Sequence, residues 1–275
     1  MNSCIRYADK QDIPILVEMW KSCFSDSEEY IRYFYKENFD NIEVLVNSVN
    51  GKPVSMAHII NCSFVDGKER NKGKFIYAVG TSPDYRNRGS FTGLMRYITG
   101  KAKEKGYALF LKPSEPGIEL NYKKAGFERD SVLRIVTFKC EGVQPIDVSP
   151  LSYKEYNKMR DAAFSDIPYV KWDDEHVKWC VEENEYFSGR TLRVAFGGKS
   201  FFLMGYRENG TLIINETDLS FEQLKLISGS LCREFETELI KAYLPDRSCN
   251  KGEEVVSSLV YNLPHKNTYA NLILI

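Results

Sequence analysis

The stretch Phe75–Tyr97, FIYAVGTSPDYRNRGSFTGLMRY, constrains the fold of this chain more than any other segment. Its first five residues are apolar and β-prone and lie between Lys74 and Gly80, which predicts a short buried strand. A Thr-Ser-Pro-Asp turn follows, and from Leu94 onward apolar residues recur at helical spacing. This order places the first N–H groups of the helix, which have no partner inside it, directly behind the turn, where they can bind an anion.

The turn itself is basic and contains a glycine. Arg86 and Arg88 flank Asn87, and Gly89 follows. Arginine stays protonated at neutral pH, and glycine lacks the Cβ that would hold a ligand away from the backbone. The turn therefore predicts a phosphate-binding site, although a solvated basic turn ahead of a helix would have the same short pattern.

Two later segments favour the binding hypothesis. Ala108–Leu111 reads as the next strand, Pro113–Gly117 (PSEPG) breaks it, and Asn121–Phe127 (NYKKAGF) follows. This order resembles the acetyl-CoA-binding half of the GCN5-related N-acetyltransferases (GNATs). Their pyrophosphate loop has the pattern R/Q-x-x-G-x-G/A after a V-x-V-x-P-x-Y strand end, and a later segment often reads F-Y-x-K-x-G-F. The matching residues here are Val79–Tyr85, Arg86–Phe91 and Tyr122–Phe127.

One residue departs from the family pattern. Phe91 lies where these proteins usually have Gly or Ala. The subgroup that resembles the enhanced intracellular survival (Eis) acetyltransferases tolerates a large residue there, and it has a Ser-Glu pair after the fifth strand that Ser114–Glu115 matches. The resemblance is specific over Phe75–Phe127 and looser outside that range.

The resemblance implies a cofactor, a fold and a site. Acetyl-CoA would lie between the fourth and fifth strands, which splay apart, and Val79 and Thr81 would bond its pantetheine arm through backbone groups. Tyr122 would protonate the departing thiolate, since a thiol with a pKa near about 8.5 needs only modest help from an acid. The implied cofactor-binding residues are Val79, Gly80, Thr81, Arg86, Asn87, Arg88, Gly89, Ser90, Phe91, Thr92, Ser114 and Glu115.

The general base is less clear. Many relatives use a glutamate on the fourth strand, but Lys74–Thr81 contains no carboxylate. In Eis-like enzymes the terminal carboxylate enters the site, whereas Ile275 here ends a predicted strand of another domain. Ordered water remains the other option. His58 lies on a predicted strand, and its interpretation as a satisfied sheet histidine is preferred.

Aromatic residues on the first two predicted helices border the acceptor pocket in the resembled family. Trp20, Tyr30 and Phe34 are the substrate-binding candidates. Ordinary core packing is the alternative interpretation of the same residues.

The element order of the first half recurs in the second. The sequence predicts an α/β (α+β) chain of two tandem GNAT-like domains, 1–140 and 146–275, each a mixed, mostly antiparallel sheet flanked by helices. Val132–Lys139 is predicted as the last strand of the first domain, and Val255–Asn262 and Tyr269–Ile275 as the last strands of the second. The glycine-free, acidic Glu216–Ser220 lies where the second basic turn is due, so we expect a diverged copy that repels pyrophosphate and binds no cofactor.

Composition excludes several classes of partner. The chain has 275 residues, of which 43% are hydrophobic, and this is enough for one large or two modest cores. Its net charge of −1 is not that of a nucleic-acid-binding protein. Its seven cysteines form no C-x-x-C pair, which favours reduced thiols and a cytoplasmic protein. The three histidines lack metal-ligand spacing, so no metal is expected. The N-terminus has no apolar signal region and no stretch is long enough to span a membrane, so no membrane partner is expected.

The leading hypothesis is an acetyl-CoA-dependent N-acyltransferase that transfers an acetyl group to a primary amine of a small molecule or peptide by direct attack. A non-catalytic acyl-CoA-binding or regulatory protein is the alternative, which the missing acid on the fourth strand favours and Tyr122 disfavours. A generic phosphate-binding domain is a third hypothesis, which Val79, Thr81 and Gly126–Phe127 make less attractive.

Overall fold

The computed structural model describes residues 3–114, 116–130, 132–263 and 267–272, and these form two compact units. The first unit takes its described residues from 1–63, 71–129 and 259–264. The second takes them from 64–70, 130–258 and 265–275. Each unit therefore contains segments from both halves of the sequence.

The first part of the chain alternates helices with a meander of strands. In chain order the elements are β1 (Ser3–Tyr7), α1 (Ile13–Cys23), α2 (Glu28–Asn38), β2 (Glu43–Val49), β3 (Lys52–Asp66), β4 (Glu69–Thr81), α3 (Ser90–Lys105), β5 (Ala108–Leu111), α4 (Glu119–Lys124) and β6 (Glu128–Arg129).

The second part repeats this alternation. Its elements are β7 (Val132–Lys139), β8 (Asp147–Pro150), α5 (Tyr153–Phe164), β9 (Tyr169–Lys171), α6 (Asp174–Tyr186), β10 (Arg190–Phe196), β11 (Lys199–Glu208), β12 (Thr211–Thr217), α7 (Phe221–Phe235), β13 (Leu239–Pro245), β14 (Glu253–Val256) and β15 (Leu259–Tyr261).

The two sheets have the same topology. The main path of the first sheet runs β1-β2-β3-β4-β5-β15-β6, and that of the second, read from the other end, runs β8-β10-β11-β12-β13-β7-β14. In each sheet one central pair is parallel, β4 with β5 and β12 with β13. The helix that connects each parallel pair, α3 or α7, begins at the carboxyl end of the first strand. This confirms the predicted fold class of mixed sheets flanked by helices.

Two predictions about the late strands are wrong. β7, predicted as the last strand of the first domain, pairs antiparallel with β13 in the second sheet, and β15 pairs with β5 and β6 in the first. The predicted strand Val255–Asn262 is therefore two strands in two sheets. A free sheet edge needs an extended partner to satisfy its N–H and C=O groups, and an apolar strand pattern does not specify which edge it joins. The described part of Tyr269–Ile275 makes one bridge, Tyr169 to Tyr269, and residues 273–275 lie outside the description.

This exchange of strands also moves the domain boundary. The division lies near Arg129 and again near Ser258, whereas the sequence placed one boundary between 140 and 146.

Two Asn-Gly pairs form the hairpin turns between β2 and β3 and between β11 and β12. Asn50 and Gly51 have φ of 51° and 83°, and Asn209 and Gly210 have 47° and 76°. Both pairs thus adopt the left-handed conformation that a two-residue hairpin turn with matching strand twist requires.

A charged network lies inside the second unit and corrects the view of Glu216 as part of an exposed acidic turn. Glu216 and Arg160 are fully buried, and Arg160 Nε donates to Glu216 Oε2 over 3.0 Å. The hydroxyls of Tyr156 and Tyr269 donate to the same carboxylate over 2.6 Å and 3.1 Å. The negative charge therefore faces the interior and is paired, so it does not repel a ligand at the surface.

The expectation that all cysteines are reduced is wrong for one pair. Cys140 and Cys232 form a disulfide within the second unit, with their Cα atoms 6.1 Å apart. Ninety-two positions separate them in sequence, so no spacing motif could reveal the pair. Cys4, Cys23, Cys180 and Cys249 are free thiols. The cytoplasmic location stays a prediction. None of the helices in the described ranges is long and apolar enough to cross a membrane.

Replacing Glu216 with Gln tests the buried network. The variant leaves the Arg160 guanidinium buried without a counter-charge, and we expect a loss of about 3–5 kcal/mol in the free energy of unfolding, measured in urea. Arg160→Met combined with Glu216→Gln should regain part of this loss, because it removes the unpaired charge. Arg207→Ala is the control, since its ion pair with Glu236 is solvent-exposed, at 52% and 82%, and should matter little. Equal effects of Glu216→Gln and Arg207→Ala would contradict this account.

Candidate functional site

The site begins where β4 and β5 part. The strands pair in parallel only over Gly73–Phe75, opposite Ala108–Phe110. β4 then continues to Thr81, whereas β5 ends at Leu111. The backbone of 78–81 consequently has no described partner in β5, and a gap opens between the carboxyl ends of the two strands, as the resemblance implied.

The N-terminus of α3 is open toward solvent. Gly89 precedes the helix with φ of +82°, no side chain caps the helix, and a Cβ built on Gly89 would meet nothing within 4 Å. The first helical hydrogen bond runs from the Gly93 N–H to the Gly89 carbonyl over 2.9 Å. The N–H groups of Ser90, Phe91 and Thr92 thus lie in the first turn without a helical acceptor. Together with the helix dipole they make a positively polarised helix end that can bind an anion.

The equivalent helix of the second unit is closed. The Ser220 hydroxyl accepts from the Gln223 N–H over 3.3 Å, and the Gln223 side chain accepts from the Ser220 N–H over 2.8 Å. This capping box occupies the N–H of the third helical residue, the counterpart of the Thr92 N–H in α3. It supplies a physical reason, different from charge repulsion, to expect no phosphate there.

The chain itself also occupies the neighbouring edge of β12. Pairing of β12 with β13 ends at Ile214, and the Asn271 side chain donates to the carbonyl of the next residue, Asn215, over 2.7 Å. The Trp172 indole in turn donates to the Asn271 carbonyl over 2.9 Å. These contacts place a segment of the second unit where the first unit has its gap.

The two arginines of the basic turn differ in their surroundings. Arg86 donates from Nε to the Thr81 carbonyl over 3.2 Å and from Nη2 to the Ser22 carbonyl over 3.4 Å, which ties the turn to the end of α1. Arg88 is exposed and stacks over Tyr85 at 5.5 Å, without an acidic partner in the described ranges. Its guanidinium is therefore the one available to a phosphate.

Tyr122 lies beside the open helix end. Its ring contacts those of Phe91, with centroids 5.4 Å apart, and Phe127, at 6.1 Å. Burial raises the pKa of its hydroxyl to about 12, which keeps the group protonated at neutral pH. The hydroxyl has no described hydrogen-bond partner. A protonated, uncommitted donor of this kind can serve as an acid.

Phe91 and Glu119 hold Tyr122 in place. The contact between the Phe91 and Tyr122 rings explains the departure from the family pattern at Phe91, because a small residue there would leave the Tyr122 ring without this neighbour. The buried Glu119 carboxylate accepts from Arg129 over 2.6 Å and 2.8 Å and pairs with Lys123. These partners lower the pKa of Glu119 to about 2 and anchor α4.

The residues at the end of β4 differ in their burial and in their contacts. Val79 is half-buried on the unpaired length of β4. The Thr81 carbonyl already accepts from Arg86 and from the Cys23 thiol, at 3.4 Å. A Cβ on Gly80 would come within 3.1 Å of Cys23 Sγ and 3.2 Å of Met56 Cε, so packing against α1 explains this glycine.

The other residues predicted to bind the cofactor lie in the same turn, at the start of α3 or after the end of β5. Asn87 has a left-handed φ of 59°, which helps to shape it. Ser90 is buried and Thr92 is exposed. Ser114 is exposed after the end of β5, and Glu115 lies outside the described residues. A cleft of about 610 Å³ adjoins the α3 N-terminus, and residues of β1, β2 and α3 line it together with Arg88 and Gly89.

The aromatic residues expected near an acceptor lie in the core. Trp20, Tyr30 and Phe34 are 1%, 3% and 0% exposed. The Trp20 indole donates to Asp26 over 2.7 Å, and its ring packs on Phe34 with centroids 5.0 Å apart. Burial favours the packing interpretation, and any effect on an acceptor would be indirect.

No metal-binding group emerges from the parts of the chain that the structure describes: three or more His, Cys, Asp or Glu side chains do not meet there in a suitable arrangement.

The comparisons agree with this geometry. Residues 4–129 match the family model of the acetyltransferase (GNAT) domain. This segment is a GNAT domain. The match covers the open α3 terminus, the β4–β5 gap and Tyr122. A search of curated proteins finds no match.

Solved structures extend the similarity in fold to nearly the whole chain. A probable N-acyltransferase from Enterococcus faecalis and a GCN5-related N-acetyltransferase from Anabaena variabilis both align with a TM-score of 0.74, at 12% and 14% identity. Each comparison covers 94% of this chain and 72% of the other. Eis1 from Mycobacterium abscessus aligns with a TM-score of 0.67 at 13% identity, over 94% of this chain and 73% of Eis1. The chain thus has the fold of Eis-like GNAT proteins.

Gly89→Asp should abolish CoA binding, because a carboxylate at the open helix end would face the diphosphate at contact distance. Gly89→Asn is the matched control: it has the same shape, tolerates the left-handed conformation comparably and adds no charge. We expect calorimetry to show a much larger loss for Asp than for Asn, with similar thermal stability. Equal affinities in the two variants would show that no phosphate binds at Gly89.

Arg88→Ala should weaken CoA binding by about 1.5–3 kcal/mol, the usual value of a charge-assisted hydrogen bond. Arg86→Ala should act mainly on thermal stability, since Arg86 braces the turn. Lys103→Ala, the same charge change at the far end of α3, controls for net charge. A larger loss of affinity from Arg86→Ala than from Arg88→Ala would reverse the assignment.

Proposed function

We propose that this chain is an acetyl-CoA-dependent N-acetyltransferase that uses only its first unit for cofactor binding. The observation that carries the proposal is the uncapped α3 N-terminus at Gly89, directly beside the β4–β5 gap. The open helix end suits a diphosphate, and the gap suits an extended arm that ends in a thioester. The family match over 4–129 supports the same activity.

Each described group then has a role. The first N–H groups of α3 and the Arg88 guanidinium bind the diphosphate of acetyl-CoA. The pantetheine arm lies along the unpaired edge of β4 around Val79. Tyr122, held by Phe91, donates a proton to the departing sulfur.

The reaction is a direct transfer. The amine nitrogen attacks the thioester carbonyl carbon, a C–N bond forms and the C–S bond breaks. The sulfur leaves as the CoA thiolate and takes the Tyr122 proton. Ordered water accepts the proton lost by the amine and returns a proton to the Tyr122 oxygen, which restores the acid. The acceptor class we propose is a primary amine of a small molecule or peptide.

A non-catalytic acyl-CoA-binding protein is the second candidate. The absence of a carboxylate in Lys74–Thr81 favours it, since no side chain there can act as the base. Release of free thiol from acetyl-CoA with a panel of amines distinguishes the two functions. Binding of acetyl-CoA without thiol release for any amine would favour the second.

The stoichiometry of binding should be one CoA per chain, because the capping box of α7 and the contacts at Asn215 leave the second unit without an open site. Calorimetric titration of the wild-type protein measures this directly. Gly89→Asp should then bind none. Saturation at two, or a residual site in Gly89→Asp, would contradict the assignment of a single site.

Tyr122→Phe should reduce kcat by roughly 10²–10⁴-fold with little change in acetyl-CoA affinity, because it keeps the ring and removes the acid. The raised pKa predicts no loss of wild-type rate from tyrosine ionisation below about pH 9. Tyr97→Phe, on α3, is a control for loss of a tyrosine hydroxyl. Wild-type kcat in Tyr122→Phe across this pH range would assign the proton to water or to a backbone donor.

A further inference from the structure

A buried histidine on β3 reaches the backbone of β4 just before the proposed thioester site. The His58 side chain is 0% exposed. Its Nε2 is 2.9 Å from the Tyr35 hydroxyl, and its Nδ1 is 3.2 Å from the Ala78 carbonyl oxygen. A carbonyl can only accept, so Nδ1 carries the proton and Nε2 accepts from Tyr35. One neutral tautomer satisfies both contacts.

The surroundings stabilise this neutral form. Rings of Trp20, Phe34 and Tyr77 enclose the imidazole, with centroids 5.0–6.3 Å from it. Burial lowers the pKa of His58 to about 4, and burial raises the pKa of the Tyr35 hydroxyl. The donor at Nδ1 therefore persists throughout the neutral pH range.

The partner of His58 is an unusual residue of β4. Ala78 has φ of +44° inside an otherwise extended strand. A non-glycine residue in this region is strained and persists only where surrounding contacts hold it. The Nδ1–H bond to its carbonyl is such a contact.

Holding this carbonyl also orients the next amide. The Ala78–Val79 peptide is trans, since the described chain has no cis peptide bond. In a trans peptide the C=O and N–H point in opposite directions. With the Ala78 carbonyl bonded to His58, the Val79 N–H must point away from His58. β4 has no described β5 partner at this position.

We propose that His58, supported by Tyr35, is a positioning residue that fixes the Ala78–Val79 peptide and so presents the Val79 edge of β4 to the thioester arm. The inference rests on the proposed function, because the arm must lie along β4. It assigns His58 no contact with substrate. A positioning role differs from a purely structural role in one respect. Loss of the Nδ1 donor should impair the use of the thioester half of the cofactor and leave binding of the nucleotide half unchanged.

A matched pair of substitutions isolates that donor. Asn and Leu have nearly the same shape, and an Asn amide can reach the position of Nδ1 and donate to Ala78, whereas Leu cannot. Both leave the Tyr35 hydroxyl without its imidazole partner, so that cost is common to the two variants. His58→Leu is therefore compared with His58→Asn.

The readouts are kcat, KM for acetyl-CoA, and the Kd of 3′-phospho-ADP, which is CoA without its pantetheine arm. We expect kcat/KM for acetyl-CoA to be roughly 10- to 100-fold lower in His58→Leu than in His58→Asn, the scale of a misplaced catalytic geometry. The Kd of 3′-phospho-ADP should match the wild-type value in both. Equal kcat/KM in the two variants, or a parallel loss of 3′-phospho-ADP affinity, would overturn the proposal.

Tyr35→Phe keeps the test decisive if His58→Leu fails to fold. It removes the hydroxyl that holds Nε2 while retaining the imidazole, and should lower kcat/KM for acetyl-CoA with the Kd of 3′-phospho-ADP unchanged. Unchanged kinetics in this variant would count against the positioning role.

Failure of the proposed transferase function would give results that differ from failure of the His58 proposal. A wild-type protein that binds 3′-phospho-ADP and acetyl-CoA but acetylates no amine would refute the transferase, while the ratio of the two Kd values in the variants would still decide the role of His58. A wild-type protein that binds neither ligand would refute both proposals.

Discussion

The early end of the β4–β5 pairing is the constraint on which the site depends. The described pairing of β4 with β5 ends at Phe75, the backbone of 78–81 has no described β5 partner, and the polar groups of a strand edge must still be satisfied. The same ladder positions α3, because the chain leaves β4 at Thr81 and enters the helix only eight residues later, through Gly89. A gap and an uncapped helix end therefore occur together.

The second unit has the same ladder but satisfies these groups internally. β12 also continues beyond the last residue that pairs with β13. Here, however, Ser220 and Gln223 cap α7, and the Asn271 side chain donates to the backbone just past the paired residues. The buried Arg160–Glu216 pair with its two tyrosines fills the interior behind this strand. One topology thus gives an open site or a closed one, depending on which side chains follow the parallel strand.

Tyr122 and His58 illustrate two uses of burial. Burial keeps the Tyr122 hydroxyl protonated and leaves it without a described partner, which suits an acid. Burial keeps the His58 imidazole neutral, but both of its nitrogens are committed. A buried titratable group with free bonding capacity is a candidate for chemistry, whereas one with every atom bonded is a candidate for holding geometry.

The sequence by itself determined the local features of the molecule. The basic glycine turn, the strand before it and the helix after it, the Asn-Gly hairpins and Tyr122 near Gly126 are patterns of neighbouring residues, because backbone conformation and helix capping depend on nearby side chains. Only the tertiary structure decided which edge β7 and β15 join, that Cys140 meets Cys232, that Glu216 is buried against Arg160, and that His58 touches Ala78. Each of these depends on a contact between residues distant in sequence, and neither strand propensity nor residue spacing encodes such a partner.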